Sequence, residues 1–271
     1  MPAPRHQLVF VGGVHRSGTT ALARLLAAHP QVSGFAHTGK TEDEGQHLQD
    51  VYPPARIHGG AGRFAFSPKA HLTEASSLAT PANADRLFDG WSRYWDLACP
   101  VLVEKSPPNV VMTRFLQALF PQSRQVIVVR HPVVVALSTS RWAKRTPLVR
   151  LIEHWLAAYE TFLADSPHLR AVHVVRYEHL IAEPERTLAE LGGFLELDGP
   201  VPAATLERHR SDTYEAQWAQ RASSSSPWAR RSVAAVRARL SARIAHFGYD
   251  VTDLDFVGPF PSLSTPPPLS D

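Results

Sequence analysis

The amino-acid sequence predicts an α/β fold of three layers, a central parallel sheet flanked by helices. Three observations lead there. Short β-branched runs alternate with longer stretches of helical spacing, the order of a parallel sheet built from strand and helix units. The run at residues 125–129 is apolar at nearly every position rather than at alternate ones, as strands covered on both faces are. The first run breaks into Gly12-Gly13 and then a helical segment, so the chain opens strand, loop, helix.

Strands are expected at residues 8–11, 101–104, 125–129 and 171–175. Helices are expected at 18–28, 83–97, 110–120, 132–144, 148–164, 185–195 and 228–247. Pro132 suits a first helical turn, where a missing N–H costs nothing. Residues 37–62 combine clustered charge, Pro53-Pro54 and several glycines, and read as a surface loop with one short helix. Residues 1–258 are assigned to one domain, and the proline- and serine-rich residues 259–271 to a disordered tail.

Composition removes several classes of function. A hydrophobic share of 44% with 20% charged residues is that of a globular chain. The net charge of +3 is too small to argue for a nucleic-acid partner. Cys99 is the only cysteine, which excludes an internal disulfide framework and a thiolate cluster and suggests a reducing, cytoplasmic setting. The apolar run before Gly12 is too short for a membrane span and leads into no cleavage site, so neither anchor nor signal peptide is expected. The 14 histidines lack ligand spacing, and no metal is expected.

The chemistry concentrates in Gly12-Gly13-Val14-His15-Arg16-Ser17-Gly18-Thr19-Thr20. Glycines let the backbone turn tightly and approach an anion, while amides at the helix start point at it. That makes the fold P-loop-like. The nucleotide-triphosphatase loop, however, places Lys before the Ser or Thr that holds magnesium, and Thr19 stands at that position here. The cation is Arg16, inside the loop, whose guanidinium can pair with the oxygens of a transferring group and of its leaving phosphate.

These residues resemble the 5′-phosphosulfate loop of sulfotransferases that use 3′-phosphoadenosine-5′-phosphosulfate (PAPS), and the form is closer to the tyrosylprotein-type and bacterial members than to the cytosolic aryl and steroid enzymes. The resemblance implies that Gly13, His15, Arg16, Ser17, Gly18, Thr19 and Thr20 hold the cofactor. It extends to Val-Val-Arg130-His-Pro with Ser138 eight residues on, similar to the family's 3′-phosphate clamp. It also covers Tyr177-Glu178-His179-Leu180, similar to a segment whose Tyr lies near adenine. Ala21 stands where cytosolic members stack a Trp on adenine, which leaves that partner open; Trp228 is a candidate cofactor contact near the C-terminus.

An acceptor hydroxyl or amine must lose a proton, so a base is expected within hydrogen-bond reach. The resemblance gives Lys105 a role beside the leaving phosphate, but Pro107 replaces the His that serves cytosolic members as base. Tyrosylprotein-type relatives take a Glu after the first helix, where this chain reads Glu42-Asp43-Glu44-Gly45-Gln46-His47. Glu44 is the choice, with Glu42, Asp43 and His47 as alternatives, since acids beside bound anions have raised pKa values. The catalytic set is Arg16, Glu44 and Lys105, transferring a sulfuryl group from PAPS, without metal, and releasing PAP (3′-phosphoadenosine 5′-phosphate). A small molecule, glycan, lipid or peptide acceptor would enter between residues 37–66 and 141–150. The sequence leaves the acceptor and the oligomeric state open. Competing readings are a magnesium-dependent P-loop kinase and a non-catalytic PAP- or nucleotide-binding protein.

Overall fold

The structure is a computed structural model that describes residues 6–203 and 212–263. Five strands, β1 (Gln7–Gly12), β2 (Val32–Gly34), β3 (Val101–Lys105), β4 (Arg124–Val129) and β5 (Val172–Arg176), form one sheet in the order β2-β3-β1-β4-β5. Every neighbouring pair runs parallel. Val11 stands opposite Lys105, and Val129 opposite Arg176, so the carboxyl ends of the strands share one edge. After β1 the chain runs to the edge strand β2, returns to β3 beside β1, then crosses to β4 on the other flank. Crevices at such reversals are where open α/β sheets bind ligands.

Alternation along buried strands supplies two cores. Phe10, Leu102, Ile127 and Val129 face one side and pack with α3 (Thr113–Leu119), α4 (Pro132–Ser140), α5 (Leu148–Asp165) and α9 (Pro227–His246). Val9, Val11, Val103, Val126 and Val128 face the other, against Leu22, Leu25 and Leu26 of α1 (Thr19–Ala27) and Leu188 and Leu191 of α7 (Pro184–Phe194). Three elements were not expected: β2, the six-residue α6 (Tyr177–Ala182) and α8 (Asp212–Ser223). The helix expected at 83–97 is α2, Pro81–Ser92, capped by Thr80 accepting from the amide of Asn83. The one expected at 110–120 is split. Pro107 and Pro108 start a 3-10 turn, Pro107–Val111, before α3 begins.

The C-terminal segment is tied to the end of β5. Arg176 donates to the carbonyls of Phe247, Gly248 and Gly258 at 2.7, 3.1 and 2.6 Å. Phe260, inside the stretch expected as tail, packs on Phe247 and Phe162 with ring centroids 5.8 and 6.5 Å apart. Residues 264–271 lie outside the described residues. Among the described residues no helix is long and apolar enough to cross a membrane.

His131 makes one joint of this frame sensitive to acid. Its Nδ1 accepts from the amide of Val133 and caps α4, while Nε2 lies 3.0 Å from the Asp250 carbonyl and donates to it. The Nδ1 bond requires the neutral ring, because a protonated Nδ1 can no longer accept, whereas the Nε2 bond survives protonation. Burial lowers its pKa to about 4, so as pH falls the unfolded chain takes up the proton first. The stabilising contribution is complete above the ordinary His range and is lost as pH falls toward 4. Chemical denaturation of His131→Ala between pH 7 and pH 4 should therefore show a smaller loss of stability with acid than the parent chain. An equal slope would remove His131 from the acid response.

Candidate active site

A cleft of about 620 Å³ opens at the carboxyl edge of the sheet, lined among others by His15, Arg16, Gly18, Thr19, Thr20, Arg24, Glu42, Glu44, Arg130, Trp142, Tyr177 and Tyr214. That volume lies in the range of small-molecule and cofactor sites. Each long strand delivers a polar or aromatic residue to this edge: the glycine loop after β1, Lys105 at the end of β3, Arg130 after β4 and Tyr177 after β5. Open sheets expose their backbone ends there, and the loops that follow are free to carry chemistry.

The loop is held from below and bent to fit. Tyr159 of α5 donates to the Val128 carbonyl at 2.6 Å, and its hydroxyl accepts from the amide of Val14 at 3.3 Å. The amide of Gly13 donates to the Pro107 carbonyl at 3.1 Å. A Cβ at Gly13 would lie 2.5 Å from the Val128 carbonyl oxygen. Gly18 has φ 108°, and a Cβ there would meet the Tyr177 ring at 2.3 Å. Arg16 is also left-handed, at φ 73°. A non-glycine residue held in that region costs energy that the surrounding structure must offset, and such residues gather at functional loops.

Arg16 is the centre of the cationic half. Its Nε donates to Ser138 Oγ at 2.9 Å, its guanidinium lies 4.8 Å from the Trp142 ring, and its carbonyl accepts from Arg130 Nη1 at 3.4 Å. Arg130, buried, lies 4.2 Å over Tyr177. Ser138 Oγ also accepts from the Tyr214 hydroxyl at 3.1 Å. The two groups expected to clamp one phosphate, Arg130 and Ser138, therefore both touch the arginine expected on another. His15 lines the same space, and burial with Lys105, His47 and Arg16 nearby lowers its pKa to about 4. It is neutral at pH 7, and its Nδ1 is buried without a hydrogen-bond partner among the described residues.

The acidic half is Glu44. Buried at 5% exposure, it lies 3.5 Å from Lys105 Nζ and accepts from the side-chain amide of Gln46. Burial raises its pKa, and burial lowers that of Lys105. Lys105 Nζ also donates to the Glu42 carbonyl at 2.6 Å. The alternatives are placed differently. Asp43 accepts from the amide and hydroxyl of Thr38 at 2.8 and 2.7 Å. His47 stands 3.8 Å from Glu44 and does not line the cleft, whereas the Glu42 carboxylate does. Glu42 and Asp43 both have positive φ, 55° and 49°, so the segment turns sharply before Glu44.

Trp228 is not brought to the site. It is 79% exposed on the first turn of α9 and does not line the cleft. Sequence reasoning in turn missed Arg24 and Tyr214, and reached Trp142 only as part of the rim at 141–150. An Arg on the face of α1 just past the glycine loop was the available signal for Arg24. Glu104 was also passed over: it is fully buried, with Ser106 Oγ donating to Oε1 at 2.6 Å and Asn109 Nδ2 to Oε2 at 2.5 Å. Burial lifts its pKa to about 7. A neighbouring cavity of about 520 Å³, lined by Arg63, Arg145 and Arg150, falls within the rim expected for the acceptor. Among the described residues no three His, Cys, Asp or Glu side chains are grouped to hold a metal.

Compared with known proteins, residues 8–200 match the model of the sulfotransferase family. The chain belongs to that family. The relatives are distant in sequence. Nodulation protein NoeE of Sinorhizobium fredii is 26% identical, over 70% of this chain and 51% of its own length. Protein-tyrosine sulfotransferase 2 of Gallus gallus is 24% identical, over 69% of this chain and 50% of its own length. The chain thus spans about half the length of these two relatives. The crystal structure of sulfotransferase STF9 from Mycobacterium avium aligns with a TM-score of 0.50 at 15% identity, covering 82% of this chain and 70% of that one. That likeness supports the α/β architecture with its parallel sheet.

Gly18 offers a direct test of the loop. Gly18→Ala forces an L side chain to φ 108° and onto Tyr177, and should lower unfolding free energy by about 1–3 kcal/mol. Gly39→Ala is the control, because Gly39 has φ 72° with nothing within 4 Å of the added methyl. Denaturant titration should show the smaller loss at Gly39; equal losses would mean that the Tyr177 contact adds nothing.

Proposed function

We propose that this chain transfers a sulfuryl group from PAPS to a hydroxyl or amine acceptor and releases PAP. The observation that carries the reading is the convergence at one sheet edge of Arg16, Arg130 and the first amides of α1, with Glu44 lining the same cleft and the buried Lys105 paired to it from behind the lining. The residues suit such a ligand. A helix start with glycine before it, two buried or half-buried guanidiniums, and the partnerless Nδ1 of His15 make a polar, cationic cradle.

Arg16 and the loop amides would hold the 5′ side, Arg130 the 3′-phosphate, and Tyr177 the adenine side. Ser138 acts through Arg16, since its hydroxyl accepts from that guanidinium and it does not line the cleft. PAPS, when bound, supplies the activated sulfuryl group. Glu44 takes the acceptor's proton: it is a carboxylate with a raised pKa, beside the ammonium of Lys105. Lys105 and Arg16 offset the negative charge that builds on the leaving side, and the burial of Lys105 leaves its charge weakly screened. The sequence similarity to protein-tyrosine sulfotransferases supports the reaction class. It leaves the acceptor open among peptides, glycans, lipids and small molecules.

Titration calorimetry with PAP, and with ATP plus magnesium as the comparison, tests the cofactor. PAP should bind, and Arg130→Ala should weaken it by about 1.5–3 kcal/mol, as loss of a charge-assisted hydrogen bond does. Binding of ATP with magnesium but not of PAP would favour the kinase reading instead. The base is tested separately, in an acceptor screen with labelled PAPS. Glu44→Gln should reduce kcat by roughly 100-fold to 10,000-fold and leave PAP affinity unchanged. The parent rate should fall with acid along a limb above the usual carboxylate range, because the base must be ionised and burial raises its pKa. Near-parent turnover in Glu44→Gln, with collapse in Glu42→Gln, would move the base to Glu42.

A further inference from the structure

Glu104 has no part in the transfer just described, yet its carboxylate lies beneath the segment that presents Glu44. Successive side chains leave a strand on opposite faces, so the last two residues of β3 reach residues 42–46 from two sides. Lys105, buried and not itself lining the cleft, meets the Glu42 carbonyl and the Glu44 carboxylate. Glu104 approaches from the core, through a relay with no exposed member. Ser106 Oγ donates to Glu104 Oε1 at 2.6 Å and accepts from the amide of Gln46 at 2.9 Å. The Gln46 side chain then donates to Glu44 Oε2, while its own oxygen accepts from the amide of Ala55 at 2.7 Å. On the other carboxylate oxygen, Asn109 Nδ2 bonds Glu104 and also the Val11 carbonyl at the end of β1, at 3.2 Å.

Contact is as tight as the hydrogen bonding. A Cβ at Gly45 would lie 2.3 Å from Glu104 Oε1, so the backbone of the loop rests directly on the carboxylate. Gly45 is also held from behind, its carbonyl accepting from Trp91 Nε1 at 3.0 Å. A fully buried acid is costly unless its hydrogen bonds are made, and a core strand that needed only volume there would carry a Leu.

We propose that Glu104 is the positioning residue for the base: through Ser106 and Gln46 it fixes the turn that aims Glu44 into the cleft. The proposal rests on the reading of Glu44 as base, but the clamp itself can be measured without turnover. Amide hydrogen exchange at Gln46 reports the bond to Ser106, and Glu104→Gln and Ser106→Ala should each speed it by about tenfold, the equivalent of 1.4 kcal/mol of coupling. PAP affinity should stay at the parent value in both. In turnover, kcat should fall with the KM for PAPS unchanged. Adding Glu44→Gln to Glu104→Gln should cost far less than the product of the single effects, because an unaimed base has less to lose. Should Glu104→Gln fail to fold, Ser106→Ala carries the same measurements. Parent-like exchange at Gln46 would overturn the clamp; strictly multiplicative losses, or PAP affinity falling in step with kcat, would overturn the positioning role. Failure of the parent chain to bind PAP would instead count against the cofactor reading and leave the exchange result standing.

Discussion

One hydroxyl sets the height of the glycine loop above the sheet. Tyr159 is fully buried in α5, donates to β4 through Val128 and accepts from Val14 at the start of the loop. Without that bridge the amide of Val14, a buried residue, would be unpaired, and an unpaired buried amide costs more than the bond itself returns. The left-handed turn at Arg16, the close seat of Gly18 on Tyr177 and the direction of the Arg16 side chain all follow from where Val14 is pinned. Tyr159 lies more than a hundred residues from the loop in sequence, so the loop's shape is a tertiary product and not a local one.

The cleft divides its charge. Arg16 and Arg130 are neighbours of like sign, with burial lowering the pKa of Arg130 and Arg16 lowering it further. The folded chain tolerates this by spreading the load: Arg16 over Ser138 and Trp142, Arg130 over Tyr177. Rings are suited to the task, since they offer a negative face without a formal charge that an incoming anion would have to displace. At the other end Glu44 and Lys105 neutralise one another in place. An anion therefore meets a cationic wall, and an acceptor approaching the same space meets the one buried carboxylate that lines it.

Much of this was legible in the sequence because it depends on short, local patterns. The four strands given by consecutive apolar runs, the glycine loop and the two later motifs could be read from residue type and order. What could not be read was set by tertiary packing. β2 is three residues long and pairs with β3 alone, too brief to leave a period. The six residues of α6 are stopped by Glu183 before Pro184, which from sequence looks like a loop. Trp228 had the right composition and neighbours for a cofactor contact, yet α9 turns it outward. Trp142 and Tyr214 carried no motif at all; they reach the cleft because α4 ends and α8 passes beside Arg16. Within 42–47 the sequence offered four titratable groups, of which Glu44 was the choice; the geometry separates it from an Asp43 tied to Thr38.

The seat of Gly45 on a buried carboxylate also limits how chains of this architecture can diversify. A residue inserted or deleted between 42 and 46 would shift the register of the turn, place a side chain against Glu104 and swing Glu44 away at the same stroke. Length variation that leaves the chemistry intact is confined to segments that do not touch that seat, such as the glycine-bearing turn at 58–67 and the stretch at 141–147. New acceptors would thus be reached by reshaping the rim of the cleft, while its floor stays fixed in length.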